Sequence, residues 1–308
     1  MILVTGATGF IGSVFMRKLL GSGKKVRVLV RDRKTVKGLK GADVVEGDVL
    51  DPESLKGAAR GMETVVHLAG LVSYTKPREV MFKVNTLGTR SVLEACRDAK
   101  RFVFSSSVSV YGRREGVIDE QTETIPLNPY GESKLEAERL IIGSGLDYVI
   151  LRFAPVYGVG NPYWLKNLRL LDDGFPVPDT KNKTHVLSVD NAVQALLLAV
   201  EGPSGTYNIA DAGPVCFAEF AETLVRLLGK EPKRLPFWLV RLVALFKGMG
   251  PYLDVLTQER HYDITAARER LGYRPKEDFE KQLEKMVKWY LDLKGREKER
   301  IKNLRPTP

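Results

Sequence analysis

A tyrosine and a lysine four positions apart are the strongest candidates for chemistry in this 308-residue chain. The run Asn-Pro-Tyr-Gly-Glu-Ser-Lys places Tyr130 and Lys134 at the predicted start of a helix, where this spacing puts both side chains on one face. An unperturbed tyrosine has a pKa of about 10, and a neighbouring ammonium favours its phenolate. Tyr130 is therefore a candidate general acid/base that exchanges a proton with a substrate hydroxyl near neutral pH.

A cluster of serines lies upstream of this pair. Residues 102–112 read Phe-Val-Phe-Ser-Ser-Ser-Val-Ser-Val-Tyr-Gly, which predicts an apolar strand whose carboxyl end carries hydroxyl groups. Ligands of open α/β sheets bind at that edge. The serines are therefore candidate substrate contacts, although strand-end hydroxyls also bond to neighbouring backbone groups.

A glycine-rich turn opens the chain. The run Thr-Gly-Ala-Thr-Gly-Phe-Ile-Gly at residues 5–12 follows a short apolar strand and precedes a helix predicted over about residues 13–20. Gly6 permits a tight turn, Gly9 lets the backbone approach a pyrophosphate, and Gly12 lets the helix pack closely on the sheet. A strand, a glycine turn and a helix N-terminus in this order predict a dinucleotide site.

The rest of the first half supplies the elements that would position these groups. Apolar β-rich runs alternate with helical patterns, which predicts an α/β fold: a Rossmann doubly wound parallel sheet with right-handed crossovers. The predicted strands cover residues 2–5, 26–30, 44–46, 64–68, 102–105 and 147–151. The predicted helices cover residues 13–21, 51–60, 78–99 and 131–144.

Prolines and glycines interrupt this alternation after Arg152, so we expect a smaller C-terminal substrate-binding lobe to begin there. The predicted Rossmann domain covers residues 1–154, and residues 184–204 are expected to return to it. The lobe is expected to comprise residues 155–183 and 205–292. A basic tail is expected at residues 293–308.

An apolar segment at residues 235–246 is broken by Arg241. Its pattern fits a buried helix of the lobe, a lid over a hydrophobic substrate, or a helix on a membrane surface.

Composition limits the function classes. Much of the net charge of +10 lies in the last segment, and no basic stripe with interleaved aromatics occurs elsewhere, so we expect no nucleic-acid partner. No apolar run reaches the roughly 18 residues of a membrane span, and strand residues directly follow Met1, so a cytoplasmic protein without integral membrane association is expected. Cys96, Cys216 and three histidines lack metal-ligand spacing, so no metal site is predicted.

Over about residues 1–290, the motifs together resemble the extended short-chain dehydrogenase/reductase family, of NAD-dependent epimerase/dehydratase type. The resemblance is nearest to the dihydroflavonol reductase and 3β-hydroxysteroid dehydrogenase-like branch. Beyond the glycine run, the serine cluster and the Tyr/Lys pair, three matching elements lie at the ends of predicted strands and one lies within the helix predicted at residues 78–99. They are Asp48-Val49, His67-Leu68-Ala69-Gly70, Asn85 in Val-Asn-Thr-Leu-Gly-Thr, and Arg152 to Gly158.

The resemblance implies roles for individual residues. Tyr130 would be the general acid/base, Lys134 would hold the ribose hydroxyls and lower the pKa of Tyr130, and Ser107 would hydrogen-bond the reacting oxygen. Asp48 would face the adenine, and Asn85 would face the cofactor side of the cleft. Taken alone, Asp48 is explained equally well as the cap of the helix near Asp51, and Asn85 as an ordinary polar helix residue. The implied cofactor contacts are Gly6, Thr8, Gly9, Phe10, Ile11, Gly12, Arg31, Asp48, Val49, Leu68, Ala69, Gly70, Asn85, Tyr130, Lys134, Pro155 and Val156.

The end of the second strand bears on the choice of cofactor. An acidic residue about 20 positions beyond the glycines binds the 2′-hydroxyl of NAD. Members of the family that use NAD usually carry Asp where this chain has Val30, and Arg31 offers a bidentate partner for a 2′-phosphate. NADP is therefore favoured, while Asp32 keeps NAD open and an exposed turn is the other explanation of Arg31 and Arg33.

The resemblance leaves two reactions open. One is hydride transfer between nicotinamide and a secondary alcohol or ketone. The other is a nucleotide-sugar epimerase or dehydratase, such as a UDP-sugar 4-epimerase, that recycles its own NAD. Residues 151–158 lack the Asn and residues 181–190 lack the Arg that many sugar-nucleotide enzymes carry, which favours the alcohol/ketone oxidoreductase with a small-molecule substrate.

A noncatalytic NADP-sensing protein is a third alternative. It is less favoured because Ser107, Tyr130 and Lys134 are all present. The resemblance also implies a homodimer through the helices at residues 78–99 and 131–144.

Overall fold

The computed structural model describes residues 1–36, 38–246 and 258–304. The chain divides into two compact units, each assembled from three segments. Unit 1 consists of Met1–Val156, His185–Gly213 and Arg260–Pro275. Unit 2 consists of Tyr157–Thr184, Pro214–Glu259 and Lys276–Pro308.

Unit 1 is built on a seven-stranded parallel sheet. Its strands are β1 (Ile2–Thr5), β2 (Val26–Val30), β3 (Asp43–Glu46), β4 (Thr64–His67), β5 (Arg101–Ser107), β7 (Asp147–Phe153) and β12 (Gly205–Ile209). The spatial order is β12-β7-β5-β4-β1-β2-β3. The predicted doubly wound Rossmann sheet is therefore confirmed, and its direction reverses beside β1, where such folds bind ligands.

Helices cover both faces of this sheet, and each face has its own buried core. Phe15 and Leu196 are completely buried on one face, and Phe102 and Ile141 on the other. A parallel sheet covered on both sides requires strands that are apolar along their whole length, as the fully buried β1 is. The helices are α1 (Phe10–Gly21), α2 (Pro52–Ala59), α3 (Arg78–Phe82), α4 (Gly88–Ala95), α5 (Pro129–Ile142), α7 (Val189–Ala199) and α10 (Thr265–Arg270).

Short elements complete this unit. A π-helical turn at Lys83–Leu87 joins α3 to α4, and 3₁₀ turns occupy Arg33–Thr35 and Val108–Val110. The short strands are β6 (Val117–Ile118), β8 (Val156–Tyr157, at the boundary with unit 2), β11 (Leu187–Ser188) and β15 (His261–Tyr262).

The structure corrects the predicted extent of the lobe. Residues 205–292 were assigned to it as one block, but Gly205–Ile209 form the edge strand β12 beside β7, with Tyr207 and Ile209 fully buried. Residues 260–275 also belong to unit 1, where β15 pairs with β6. A five-residue strand with polar positions carries too weak an alternation to be recognised without its neighbour.

Unit 2 is a smaller mixed unit. Its strands are β9 (Val177–Asp179), β10 (Lys183–Thr184), β13 (Val215–Cys216) and β14 (Arg234–Pro236). Its helices are α6 (Pro162–Asp172), α8 (Phe217–Leu227), α9 (Phe237–Phe246) and α11 (Phe279–Leu304). An aromatic cluster holds it together, with the Trp164 and Phe220 ring centroids 4.8 Å apart and Phe279 5.4 Å from Phe220.

Two predicted features of the C-terminal half look different in the structure. The segment expected to be a basic tail continues α11 to Leu304, and residues 305–308 lie outside the described residues. The apolar segment at 235–246 contains the last two residues of β14 and all of α9, and only one face of α9 is buried. Among the described residues, no helix is long and apolar enough to cross a membrane.

Candidate active site

The predicted cofactor residues lie at the carboxyl edge of the sheet. Because all seven strands are parallel, the segments that follow them meet at this one edge. The glycine turn follows β1, Arg31 follows β2, Asp48 follows β3, Ala69 and Gly70 follow β4, Ser107 ends β5, and Pro155 and Val156 follow β7. Thr8, Gly70 and Arg31 are exposed there, while Phe10, Ile11, Val49, Leu68, Pro155 and Val156 are half-buried.

The glycine turn is packed so closely that side chains are excluded. Gly6 has φ +71°, and a Cβ there would lie 2.5 Å from the Ala69 nitrogen. A Cβ on Gly12 would lie 2.1 Å from the Gly6 carbonyl oxygen, so α1 rests directly on the turn. Gly9 donates its N–H to the Gly6 oxygen at 3.0 Å and precedes the first residue of α1. The result is a bare backbone cradle at a helix N-terminus, which fits a pyrophosphate.

The buried side chain of His67, at the end of β4, links the end of β1 to α4 through hydrogen bonds. His67 Nδ1 lies 2.7 Å from Thr5 Oγ1 and Nε2 lies 3.0 Å from Thr89 Oγ1. Thr89 donates its proton to the Asn85 carbonyl at 2.6 Å, so it accepts from Nε2–H, and Nδ1 accepts from Thr5. Thr5 Oγ1 in turn accepts the Ala69 N–H at 3.2 Å. Burial, with a smaller effect of the Lys134 charge, lowers the pKa of His67 to about 3, so the ring is neutral.

Asn85 shapes the loop after β4. Its side-chain amide accepts the Leu71 N–H at 2.7 Å and donates to the Leu71 carbonyl and to Ser133 Oγ, both at 3.0 Å. The side chain is 1% exposed and lies in the π-helical turn. A Cβ on Gly70 would stand 3.3 Å from both Asn85 Oδ1 and Lys134 Nζ. The structure therefore brings Gly70, Asn85 and Lys134 together. The Asn85 side chain is hydrogen-bonded to the loop after β4 and is not an ordinary exposed residue of a helix.

Lys134 is buried beneath this loop. Its Nζ donates to the Ser105 carbonyl at 2.8 Å and lies 4.5 Å from the centroid of the Phe104 ring. Burial lowers the pKa of the Lys134 ammonium to about 8, against an opposing effect of the Glu138 carboxylate. A buried ammonium whose pKa is shifted toward neutral pH is typical of functional sites.

Ser107 and Tyr130 lie on elements in direct contact. Ser107 Oγ accepts the Ser109 N–H at 3.1 Å and caps the 3₁₀ turn that follows β5. A Cβ on Gly131 would meet the Ser109 carbonyl oxygen at 2.4 Å, so the first turn of α5 packs on this segment. Tyr130 is 6% exposed, and its ring makes a T-shaped contact with the Tyr74 ring at a centroid distance of 5.9 Å.

The predicted cofactor residue Asp48 has a local structural role as well, and so does Asp32 beside the predicted cofactor residue Arg31. Asp48 accepts the Leu50 N–H at 2.9 Å, and its own N–H bonds to Ser54 Oγ at 3.0 Å, so it shapes the turn before α2. The cap of α2 is Asp51, not Asp48. Asp32 accepts the Lys34 N–H at 2.8 Å and so caps the 3₁₀ turn beyond β2, beside the exposed Arg31.

A buried ion pair beneath the site was missed by the sequence analysis. Arg152 on β7 makes a bidentate contact with Glu138 on α5, with Nη2 to Oε2 at 2.8 Å and Nε to Oε1 at 3.1 Å. Ser106 donates to the same carboxylate, and Arg152 Nη1 donates to the Tyr111 hydroxyl at 2.9 Å. Glu138 lies one helical turn beyond Lys134, so the 130, 134, 138 spacing was the available signal.

Comparison with known proteins identifies the family. The model of the NAD dependent epimerase/dehydratase family matches residues 2–210, about two thirds of the chain and all of the segments that carry the site. The chain belongs to this family. It is an enzyme of the extended short-chain dehydrogenase/reductase class, as the resemblance implied, and the family is NAD-dependent.

Relatives of this epimerase/dehydratase family member catalyse different reactions. UDP-glucose 4-epimerase of Vibrio cholerae is 28% identical, over 96% of this chain and 97% of the relative. A 3 beta-hydroxysteroid dehydrogenase/Delta 5-->4-isomerase of Mycobacterium tuberculosis is 27% identical, over 95% and 90%. The solved structure of MoeE5 with UDP-glucuronic acid and NAD has a TM-score of 0.79 and 28% identity, over 95% of this chain and 99% of that one.

Proposed function

We propose that this enzyme is an NADP-linked oxidoreductase that interconverts a secondary alcohol and a ketone. The side-chain-free cradle at Gly6, Gly9 and Gly12 supports binding of the dinucleotide pyrophosphate, since a Cβ at Gly6 or Gly12 would collide with backbone. Gly70, beside Lys134, extends this cradle toward the proposed catalytic pair. When bound, the nicotinamide ring supplies or accepts the hydride.

Tyr130 is the proposed general acid/base. In the reduction direction it donates its phenolic proton to the ketone oxygen as negative charge develops there, and in oxidation it accepts the hydroxyl proton. The buried Lys134 ammonium stabilises the resulting phenolate. Ser107 Oγ–H donates to the same substrate oxygen and helps to orient it.

The choice of an alcohol or ketone rests on the loop after β7. Residues 151–158 contain no Asn, whereas many sugar-nucleotide enzymes of the family carry one after the corresponding strand. The Arg that such enzymes place before α7 is also missing: Lys181 and Lys183 are exposed, and the buried positions that follow are Thr184 and His185. A site without these two groups is poorly suited to a nucleotide diphosphate.

The preference for NADP over NAD rests on the end of β2. Val30 is 4% exposed and apolar at the position where an acidic residue would bind the ribose hydroxyls of NAD. Arg31 follows it at the exposed carboxyl edge of the sheet and provides a guanidinium for a 2′-phosphate.

A UDP-sugar 4-epimerase is the second candidate. The similarity to the Vibrio cholerae enzyme, which extends over nearly the full length of both chains, favours it. The same Tyr130, Lys134 and Ser107 would then serve a reaction in which the hydride returns to the substrate.

We also propose a homodimer through α3, α4 and α5. Val80 on α3 and Leu87 in the π-helical turn that follows it are 38% and 47% exposed. Ile142 at the end of α5 is 50% exposed. Apolar side chains on adjacent helices support an isologous helix-bundle interface.

Turnover of the purified enzyme tests the proposed reaction. NADPH oxidation is measured with a panel of alicyclic and steroid ketones, in parallel with interconversion of UDP-glucose and UDP-galactose. We expect ketone-dependent NADPH oxidation that Tyr130→Phe lowers by about 10²-fold or more without loss of NADPH binding. Tyr163→Phe, a change at a more exposed tyrosine in unit 2, is the matched control. Sugar interconversion without net NADPH consumption would favour the second candidate, and unchanged turnover of Tyr130→Phe would remove its assigned role.

A further inference from the structure

The Glu138 carboxylate on α5 binds two neighbouring strands of the sheet at once. Ser106 on β5 and Arg152 on β7 are register partners, so their side chains lie side by side on one face of the sheet. Ser106 Oγ donates to Glu138 Oε1, and Arg152 donates to both carboxylate oxygens, with Nη2 to Oε2 at 2.8 Å. One side chain of the helix therefore fixes α5 to both β5 and β7.

Glu138 lies on the side of α5 that carries the proposed catalytic pair. Tyr130, Lys134 and Glu138 are spaced four residues apart, which places them along one side of the helix. Lys134 Nζ donates to the Ser105 carbonyl at 2.8 Å, one residue before Ser106. Successive turns of α5 are therefore bonded to successive residues of β5, and the helix cannot rotate or slide along the strand without breaking one of these bonds.

Ser106 is the middle residue of the three serines that end β5. The carbonyl of Ser105 before it accepts the Lys134 bond, and Ser107 after it carries the hydroxyl assigned to the substrate oxygen. Because side chains alternate along a strand, Ser106 points to the face opposite that of its two neighbours. Ser106 is 3% exposed, and its bond to Glu138 fixes the strand between the two residues used by the site.

Stability alone does not account for this buried array. Glu138 and Arg152 are 1% and 7% exposed, so both charges are removed from water. Well-packed apolar side chains of similar volume are often as stabilising as a buried ion pair, or more so. Apolar contacts, however, are not directional, whereas hydrogen bonds from two strands to one carboxylate fix the rotation of α5 and its position along β5.

We propose that Ser106 is a positioning residue for the reaction, which acts by fixing the Glu138 carboxylate, and with it α5, against the end of β5. This bond sets the separation of the Tyr130 hydroxyl from Ser107 Oγ, the two groups that must reach the same substrate oxygen. The inference rests on the proposed function, but only on the roles of Tyr130, Lys134 and Ser107, which both candidate reactions share.

Steady-state kinetics of Ser106→Ala tests the positioning role. This variant loses one hydrogen bond and keeps the Arg152–Glu138 ion pair. Ser106→Thr, which keeps a hydroxyl on the same carbon, tests rescue, and Ser144→Ala, which removes a hydrogen-bonded hydroxyl just beyond α5, is the matched control. Turnover is measured in whichever of the two candidate reactions the wild type catalyses, with Tyr130→Phe in parallel. Far-UV circular dichroism checks that each variant is folded, and Ser106→Cys, with its weaker donor, replaces Ser106→Ala if that variant is not.

We expect Ser106→Ala to lower kcat by about tenfold or more and to change the KM of the substrate by less than about twofold, because the reacting groups are misplaced while binding is retained. Ser106→Thr should recover most of kcat, and Ser144→Ala should match the wild type.

Wild-type kcat in Ser106→Ala, or no recovery in a folded Ser106→Thr, overturns the positioning role. If Tyr130→Phe is inactive in the same assay, the proposed function stands without it. Full turnover by Tyr130→Phe overturns the proposed function and, with it, this inference.

Discussion

The Lys134 ammonium donates a 2.8 Å hydrogen bond to the carbonyl oxygen of Ser105, which fastens the first turns of α5 to the carboxyl end of β5. The contact joins the two elements that carry Tyr130 and Ser107. It also keeps a positive charge buried at 4% exposure, one helical turn from Tyr130. The position of this charge supplies both the geometry and the electrostatics of the proposed proton transfer.

The pH dependence of turnover should report on this charge. Because burial lowers the pKa of Lys134 to about 8, the ammonium is present below that pH and is lost as pH rises through it. We expect kcat/KM to fall above pH 8, measured as a pH–rate profile with saturating NADPH. Lys134→Met should lower kcat/KM by about 10²-fold or more at pH 7, whereas Lys18→Met on the exposed side of α1 should not. A flat profile from pH 7 to 9.5 would contradict this role.

Arg31→Ala tests the cofactor preference. Loss of a charged hydrogen bond to a 2′-phosphate should raise the Kd of NADPH by about tenfold or more, while the Kd of NADH changes little. Both constants are obtained by titrating the nucleotide and following its fluorescence. Arg97→Ala, which removes an arginine 83% exposed beyond α4, serves as the control. Equal increases in the Kd values of NADPH and NADH would contradict the role assigned to Arg31.

Removing both charges of the buried Arg152–Glu138 pair should destabilise the protein less than removing either one alone. Glu138→Met or Arg152→Met leaves the other charge buried at 7% exposure or less, so either should lower the free energy of unfolding by about 3 kcal/mol or more. The double change Glu138→Met/Arg152→Met removes both charges and should recover most of that loss. Urea unfolding of the four proteins measures the coupling. Losses that simply add in the double variant would show that the two side chains act independently.

Acid should weaken the fold through His67. The unfolded chain binds a proton at this ring below a pKa of about 6.5, whereas burial keeps the folded ring neutral until about pH 3. The contribution is therefore fully present above pH 6.5 and is lost as pH falls toward 3. Between pH 7 and 4.5, the stability advantage of wild type over His67→Gln should shrink by roughly 2–3 kcal/mol, as measured by urea unfolding. An unchanged difference would mean that His67 is not held neutral.

The sequence was sufficient for the elements with strong local patterns. The glycine turn, the fully apolar strands and the Tyr130/Lys134 spacing each depend on residues within one turn or strand, so their structure could be predicted directly. The first helix begins at Phe10 instead of residue 13 because Gly9 already accepts the Ser13 N–H at 2.9 Å. A cap provided by backbone alone has no side-chain signature.

The rest of the site depends on contacts between distant segments. Arg152 and Glu138 meet only because β7 lies beside β5 under α5, and the position of Glu138 one helical turn beyond Lys134 does not by itself indicate its partner. Similarly, the His67 network joins Thr5 to Thr89, from segments more than sixty and twenty residues away in the chain. Such polar networks form only when distant segments are brought together in the folded protein. Hydrophobic periodicity predicts only which face of each element is buried.

The nucleotide content of the purified enzyme is the most direct test of an oxidoreductase that exchanges its cofactor. Freshly purified protein is denatured, and the released nucleotide is identified by chromatography with mass detection and scored against the protein concentration. We predict a largely empty site that fills readily with NADPH. Near-stoichiometric, tightly bound NAD would contradict this and indicate an enzyme that returns the hydride to its own substrate.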